Sequence, residues 1–483
     1  MIRNHCLSRV PLWRAGLRTV LAITALSSLL LAGCASMPSM IKPPLETEGE
    51  VFVYLEPFPQ EAGRLGFTVD RLFAVRSDGE EFPLTLALEE LSSGTARRQR
   101  LLASGRMPPG RYVGLSSTVK KAVLTGDQGE GVLLAPEGPV KQDFSFEVQK
   151  KQAVVLALSL RYAESIQSGF RFSPVFSLSV PSRPVSGLTG YVTNRNDNHI
   201  TVFNKKTGEV AAIITTGRSP EAIAIDPRAG RGYAALSGED AIDVLDVVAG
   251  IVIHSIPLSA GDGPSELALT PDGRFLLVVN AASRTLSIID PIGLAELGRV
   301  VVGDGPRSVL VDRAGRRAYV FNEFSNTITV IDIANRAVVV TLSTDIGPIR
   351  GQFNRKGDKL YVIHPRNPYL SVIDPLTLSV ARKMFVGPGL SAIKVDTVTD
   401  MLYVCRKLEG VVEMYDPFSL SPGAYIQTMR GVAYMTIDGE ENNLYLVSPE
   451  TKTVMTINLT SRKITALIDA GESPAGVAMM GER

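Results

Sequence analysis

One register runs through the last three-fifths of this 483-residue chain. Tyr191, Tyr233, Leu277, Tyr319, Tyr361, Tyr403 and Tyr445 follow one another at spacings of 42, 44, 42, 42, 42 and 42 residues. Thirteen residues after each stands Asn204, Asp246, Asp290, Asp332, Asp374, Asp416 or Asn458. A fixed period of this length means that each unit is one supersecondary structure that cannot bury its apolar face alone, so neighbours must stack. Within a unit, runs such as Leu360-Tyr361-Val362-Ile363 and Ile328-Thr329-Val330-Ile331-Asp332 are rich in β-branched residues and read as strands. A third run, as in Ala337 to Leu342, leads to a Gly-Pro corner, and a fourth, as in Ala222 to Ile225, ends in a turn. Thr270-Pro271-Asp272-Gly273 suits a type I turn, with proline setting φ at the second position.

Four short strands per repeat, seven repeats and no helical pattern between them predict an all-β ring of seven four-stranded blades around a central channel. The period also matches WD40 repeats, but the Trp-Asp dipeptide is absent. Gly190-Tyr191-Val192-Thr193-Asn194 resembles the signature of the YVTN family of β-propellers, and Ala318-Tyr319-Val320-Phe321-Asn322 and Leu360-Tyr361-Val362-Ile363-His364 repeat it loosely. The resemblance covers residues 190–483 and implies a seven-bladed propeller without implying one activity. The array opens on a second-strand motif at Gly190 and ends on a first-strand motif, Ser473-Pro474-Ala475-Gly476-Val477-Ala478-Met479. This phase predicts that the C-terminal strand pairs into the first blade and leaves the ring no open edge.

Upstream lies a different kind of sequence. Residues 1–18 are basic without a carboxylate, and Thr19 to Leu31 is an apolar run too short to span a bilayer, which needs about 20 helical residues. Residues 1–33 therefore read as a signal peptide. Leu31-Ala32-Gly33-Cys34 resembles the lipobox of bacterial lipoproteins, and that resemblance implies diacylglycerol on the Cys34 thiol, cleavage before it and an added N-acyl chain. Several chains together anchor a protein firmly. Ala35, where an aspartate would resemble an inner-membrane retention signal, points to the outer membrane. A chain beginning at Cys34 loses Arg3, Arg9, Arg14 and Arg18, leaving 46 of the 50 basic residues against 49 acidic, net −3, which argues against a polyanion partner.

Residues 34–47, with Pro38, Pro43 and Pro44, read as a lipidated stalk. Residues 48–181 read as a β-sandwich, with strands near Val51 to Leu55, Leu72 to Arg76, Arg111 to Leu115, Phe144 to Val148, Ala153 to Leu160 and Phe172 to Val180. The order Val51-Phe52-Val53-Tyr54-Leu55, Pro108-Pro109-Gly110-Arg111-Tyr112, Phe172-Ser173-Pro174-Val175-Phe176 resembles an uncharacterised β-sandwich domain of bacterial lipoproteins. Residues 182–189 read as a short linker before the propeller at 190–483, and Ala96-Arg97-Arg98-Gln99-Arg100 reads as a solvated basic loop.

Catalytic chemistry finds little support. His199, His254 and His364 are dispersed over three repeats, and no Cys-x-x-Cys, His-Glu-x-x-His or EF-hand spacing occurs, so no metal or other cofactor is expected. Cys-x-x-Cys-His is absent, the tryptophan docking motif of quinone-binding propellers cannot occur because the lone Trp13 lies in the leader, and there is no Gly-x-Ser-x-Gly or P-loop. Cys405 shares its repeat position with Thr193, Ala235, Val279, Phe321, Ile363 and Val447 and reads as an inert core thiol. The recurrent Asn or Asp suits a tight turn, being followed by proline at Asp290, Asp374 and Asp416.

What remains is a loop surface. The YVTN resemblance places the loops before each first strand and those between second and third strands on one side, around the channel mouth. Blades one and two would set Glu221, Glu239, Asp240, Asp262 and Glu266 there, offset by Arg195 and Arg218, and blades four to six would set Arg307, Arg350, Arg366, Arg406, Lys407 and Arg430 there. The expectation is a polarised, electrostatically steered docking face for a protein or cell-envelope partner, on a non-catalytic lipoprotein tethered through Cys34. Two alternatives are a lactonase-like hydrolase, needing an acid, base or metal cluster at the channel mouth, and a single-stranded DNA binder, needing stacking aromatics such as Tyr369 and Tyr425.

Overall fold

The computed structural model describes residues 41–126, 129–416, 418–419 and 421–482. The leader and Cys34 lie outside the described residues. Ile41–Arg483 forms one compact unit.

The repeat folds as the spacing predicts, into seven antiparallel four-stranded sheets. Blade 1 is assembled from both ends of the ring: its inner strand is Pro474–Met479, followed outward by Thr189–Asn194, His199–Asn204 and Val210–Thr215. Gly190 pairs with Met479, Tyr191 with Ala478 and Val192 with Val477. The six later blades begin at Pro220, Pro264, Pro306, Arg350, Leu390 and Tyr434, and each runs outward in sequence order. The recurring tyrosine lies on the second strand, and Tyr191, Tyr233, Tyr319, Tyr361 and Tyr445 are among the largest fully buried side chains. A buried side chain of this class contributes roughly 1.5–3 kcal/mol, so the seven-fold register is also the register of the core.

Each recurring Asn or Asp ends the third strand and accepts hydrogen bonds from amides two or three residues ahead. Val248 and Ala249 N–H donate to Asp246 at 2.9 and 2.8 Å, and Leu376 N–H donates to Asp374 at 2.8 Å. The same turn recurs at Asn204, Asp290, Asp332, Asp416 and Asn458. These side chains are structural.

The N-terminal β unit is one continuous ten-stranded sheet bent into a half-barrel. Its main path runs Phe176–Ser179, Ala153–Leu160, Gly49–Leu55, Arg100–Met107, Glu81–Leu86, Leu65–Arg76, Gly110–Gly126 and Gly129–Leu133. The layers of the expected sandwich are joined because Glu81–Leu86 bonds to both Leu65–Arg76 and Arg100–Met107. Strand Gly49–Leu55 is buried throughout. Its period of two sends Val51, Val53 and Leu55 into the half-barrel core and Phe52 and Tyr54 into a second core shared with Phe203, Val210, Ile213 and Ile468 of blades 1 and 7.

The basic run at 96–100 is therefore not a solvated loop but part of this junction. Arg98 and Arg100 grip Asp469 of blade 7 at 2.6 and 2.8 Å, and the Gln99 side-chain oxygen accepts the Val210 N–H of blade 1 at 2.7 Å. The charges are drawn down because Asp469 is largely buried and needs a cation.

Candidate functional site

The loops leading into each first strand and the turns between second and third strands share one side of the ring, called here the upper face. The turns are tight: the residue before the third strand takes positive φ at Asn198, Asp240, Arg284 and Asn326. Gly305, at φ 65°, is required in its loop, because a Cβ there would meet the Phe324 ring at 2.6 Å.

All of the charged residues expected on this face are found around it, but not as two opposed fields. Arg350 and Glu266, assigned to opposite halves, meet across the channel at 2.5 Å, joining the inner strands of blades 5 and 3. The Arg350 guanidinium lies 4.6 Å from the ring centre of Tyr434, on the inner strand of blade 7. The channel mouth thus holds an ion-paired polar cluster. Arg307 and Arg366 both pair with Glu323 at 3.4 Å, Arg406 pairs with Glu409 and Glu413, and Glu221 pairs with Arg195. Lys407 and Arg430 are exposed and form no ion pair among the described residues. The polarised field of the sequence reading is thus partly neutralised pair by pair, because charges of opposite sign lie within reach of one another inside a blade, between neighbouring blades and across the channel.

At the far end of the channel Glu482 accepts from Lys394 at 3.0 Å and from the Thr436 hydroxyl. Arg350→Met is expected to cost about 3 kcal/mol by leaving Glu266 without its partner, at the low end for a broken buried pair. Adding Glu266→Gln should recover most of that loss. Denaturant midpoints of the single and double variants check this, and equal destabilisation of the two would sink it.

The histidines do not converge. His364 occupies the repeat position of Asn280 and Asn322 and does their work: its Nε2 bonds to the Ser371 hydroxyl at 3.1 Å, as Asn322 bonds Thr329 at 2.9 Å. Burial pushes His364 and His199 down to about 4, so both are neutral at pH 7. Among the described residues no group of three or more His, Cys, Asp or Glu side chains is placed to hold a metal ion. Cys405 is completely buried, and burial pushes its thiol well above the usual range, as its shared repeat position implies.

Two features lay beyond sequence reasoning. A cleft of about 730 Å³ lies where the half-barrel meets blades 1 and 7, lined by Lys42, Glu50, Phe52, Arg106, His199 and Glu472 among others. Residue 42 is strapped to blade 1 there: its N–H donates to Asn196 O at 3.0 Å, the Asn198 amide donates to its carbonyl, and its Nζ pairs with Asp197 at 3.0 Å. The second feature is a set of exposed apolar side chains, Phe324, Ile346 and Leu408, on the upper face of blades 4 to 6.

Residues 183–398 match the family model of the YNCE-like β-propellers. Comparison with curated proteins finds no match. Among solved structures, a functionally unknown protein from Desulfotomaculum acetoxidans is 13% identical with a TM-score of 0.54, covering 60% of this chain and 98% of that one. Hydrazine synthase of Kuenenia stuttgartiensis is 19% identical with a TM-score of 0.48, over 53% of this chain and 88% of that one. The dihydro-heme d1 dehydrogenase NirN is 14% identical with a TM-score of 0.49, over 62% of this chain and 78% of that one. The likeness to the Desulfotomaculum protein, at such an identity, is one of fold alone. The C-terminal body is a seven-bladed β-propeller whose sequence, over residues 183–398, resembles the YNCE-like family.

Proposed function

We propose that this chain is a lipoprotein of the bacterial cell envelope, tethered through Cys34 to the outer membrane, whose propeller binds a protein or envelope partner and performs no catalysis. The observation that carries the binding reading is the state of the channel mouth. A hydrolase of the lactonase kind needs a convergent acid, base or metal site there, whereas Arg350, Glu266 and Tyr434 are engaged with one another. What is left accessible is the rim of loops, where Arg307, Arg366, Lys407 and Arg430 stand beside Phe324, Ile346 and Leu408. Apolar side chains ringed by cations are the composition of a docking surface. The half-barrel, locked onto blades 1 and 7, leaves that part of the rim clear.

Crosslinking of the lipidated protein in its native envelope, followed by mass spectrometry, tests this. Reversal of Arg307, Arg366, Lys407 and Arg430 to glutamate is the companion variant; Arg350 is left intact because it braces the channel. The expected result is a reproducible crosslink from the upper face, to envelope lipid or to protein, lost by tenfold or more in the variant at unchanged melting temperature. A capture indifferent to those four charges would remove the upper face from the reading.

A further inference from the structure

We propose that the partner of the upper face is the bilayer that holds the tether: the propeller lies with its upper face against anionic phospholipid headgroups, Phe324, Ile346 and Leu408 reaching into the interface. This rests on the lipoprotein reading of Cys34. Cys34 stands eight positions before Lys42, so even a fully extended leash spans at most about 28 Å. Lys42 is bonded to Asn196 and Asn198, in the turn between the second and third strands of blade 1, which is an upper-face turn. The leash therefore starts from the upper face at the rim.

The lower face also carries exposed apolar turn tips, Val248, Ile292, Leu376 and Phe418. A six-residue blade strand is about 20 Å long, so reaching the bilayer with the lower face would use most of the leash. The short tether favours the upper face.

Three ion pairs of that face are layered, whereas Arg284–Asp304, at 62% and 58% exposed, and Lys452–Glu472, at 53% and 49%, expose both partners. In Arg195–Glu221 the cation is 45% exposed and the carboxylate 14%; in the pairs of Arg307 and Arg366 with Glu323 the cations are 61% and 56% exposed and the carboxylate 20%. Arg406–Glu409 runs the other way, at 18% and 49%. Exposed Lys407 and Arg430 add two more cations. The body carries no net positive charge, yet guanidinium and ammonium heads form much of the outermost layer here, above carboxylates set deeper. Long basic side chains hold their heads outward in this way, and guanidinium groups bond phosphate oxygens well. Phe324 and Ile346 belong to one continuous stretch: Arg366 pairs with Glu323 next to Phe324 and packs against Gly347 next to Ile346.

The mature chain has no tryptophan of its own, because Trp13 lies in the leader. Phe324→Trp, Leu408→Trp and, on the lower face, Leu376→Trp would each give a lipidated protein with one reporter. These are bound to vesicles of phosphatidylethanolamine and phosphatidylglycerol carrying brominated acyl chains. The expected result is blue-shifted, quenched emission at positions 324 and 408 and none at 376. Quenching should fall at least threefold when Arg307, Arg366, Lys407 and Arg430 are changed to glutamine, while the anchor still floats the protein with the vesicles. Flotation without quenching at 324 and 408, quenching at 376 instead, or crosslinking of the upper face to a protein in the native envelope would each overturn the proposal. Absence of a lipid mass on Cys34, with loss of flotation, marks failure of the tether itself and takes this proposal with it.

Discussion

Truncation after Gly471 is expected to abolish the cooperative unfolding transition of the propeller and to leave the chain insoluble. The lost segment contains Pro474–Met479, the inner strand of blade 1, whose pairing with Thr189–Asn194 closes the ring. Without it blade 1 is a three-stranded sheet with an open edge beside the channel, and Val477 and Met479, each 2% exposed, leave the core they share with Phe203 and Tyr445. Soluble yield and a thermal melt followed by near-ultraviolet circular dichroism read the outcome. A folded truncated protein with a sharp transition would refute the closure.

Lys205→Met is expected to cost about 3–5 kcal/mol, the range for removing one partner of a buried ion pair. The Lys205 and Asp438 side chains are completely buried 3.0 Å apart, and Lys205 also donates to the Met480 carbonyl at 2.6 Å. One ammonium thus joins the third strand of blade 1, the inner strand of blade 7 and the end of the closing strand. Loss of the cation leaves the Asp438 carboxylate, among the described residues, with the backbone N–H groups of Glu440 and Glu441, at 3.1 and 3.3 Å. Domains are stable by roughly 5–15 kcal/mol, so the single variant should unfold at much lower denaturant. Lys205→Met with Asp438→Asn should regain a large part of the loss. A double variant no better than the single one would show that the pair is not what stabilises the joint.

The propeller was legible in the sequence because its repeat is also its packing rule. Tyr191 and its six counterparts name the second strand of every blade, and the phase of Ser473 to Met479 against Gly190 gives the closure. Five of the six strands expected in the N-terminal unit are present, the sixth, Phe172 to Val180, is broken into Arg171–Phe172 and Phe176–Ser179, and Glu81–Leu86, Glu90–Ser92, Arg100–Met107, Gly129–Leu133 and Ile166–Gln167 lie outside the expected set. Arg100–Met107 hides its identity in two ways. Arg100 is spent on Asp469, and Gly105 interrupts the strand pattern because a Cβ there would lie 2.9 Å from the Pro83 carbonyl of the neighbouring strand. Bonds across hundreds of residues leave no mark in local pattern. The same limit applies to the upper face: which residues lie there follows from the repeat, but the pairing of Arg350 with Glu266 depends on the width of a channel that no spacing encodes.

The half-barrel rests on the blade within which the ring is closed and on its neighbour, blade 7. Strand Gly49–Leu55 packs on blades 1 and 7 together, Gln99 holds the outer strand of blade 1, and Arg98 and Arg100 hold that of blade 7. Both termini of the body therefore converge on one joint, and in mechanical terms the consequence is favourable. A pull applied at Ile41 passes first to the turn of blade 1 and then, through the half-barrel, to both flanks of the closure. Force shared across several strands loads their hydrogen bonds together, and the ring resists opening where a single peeled edge would unzip.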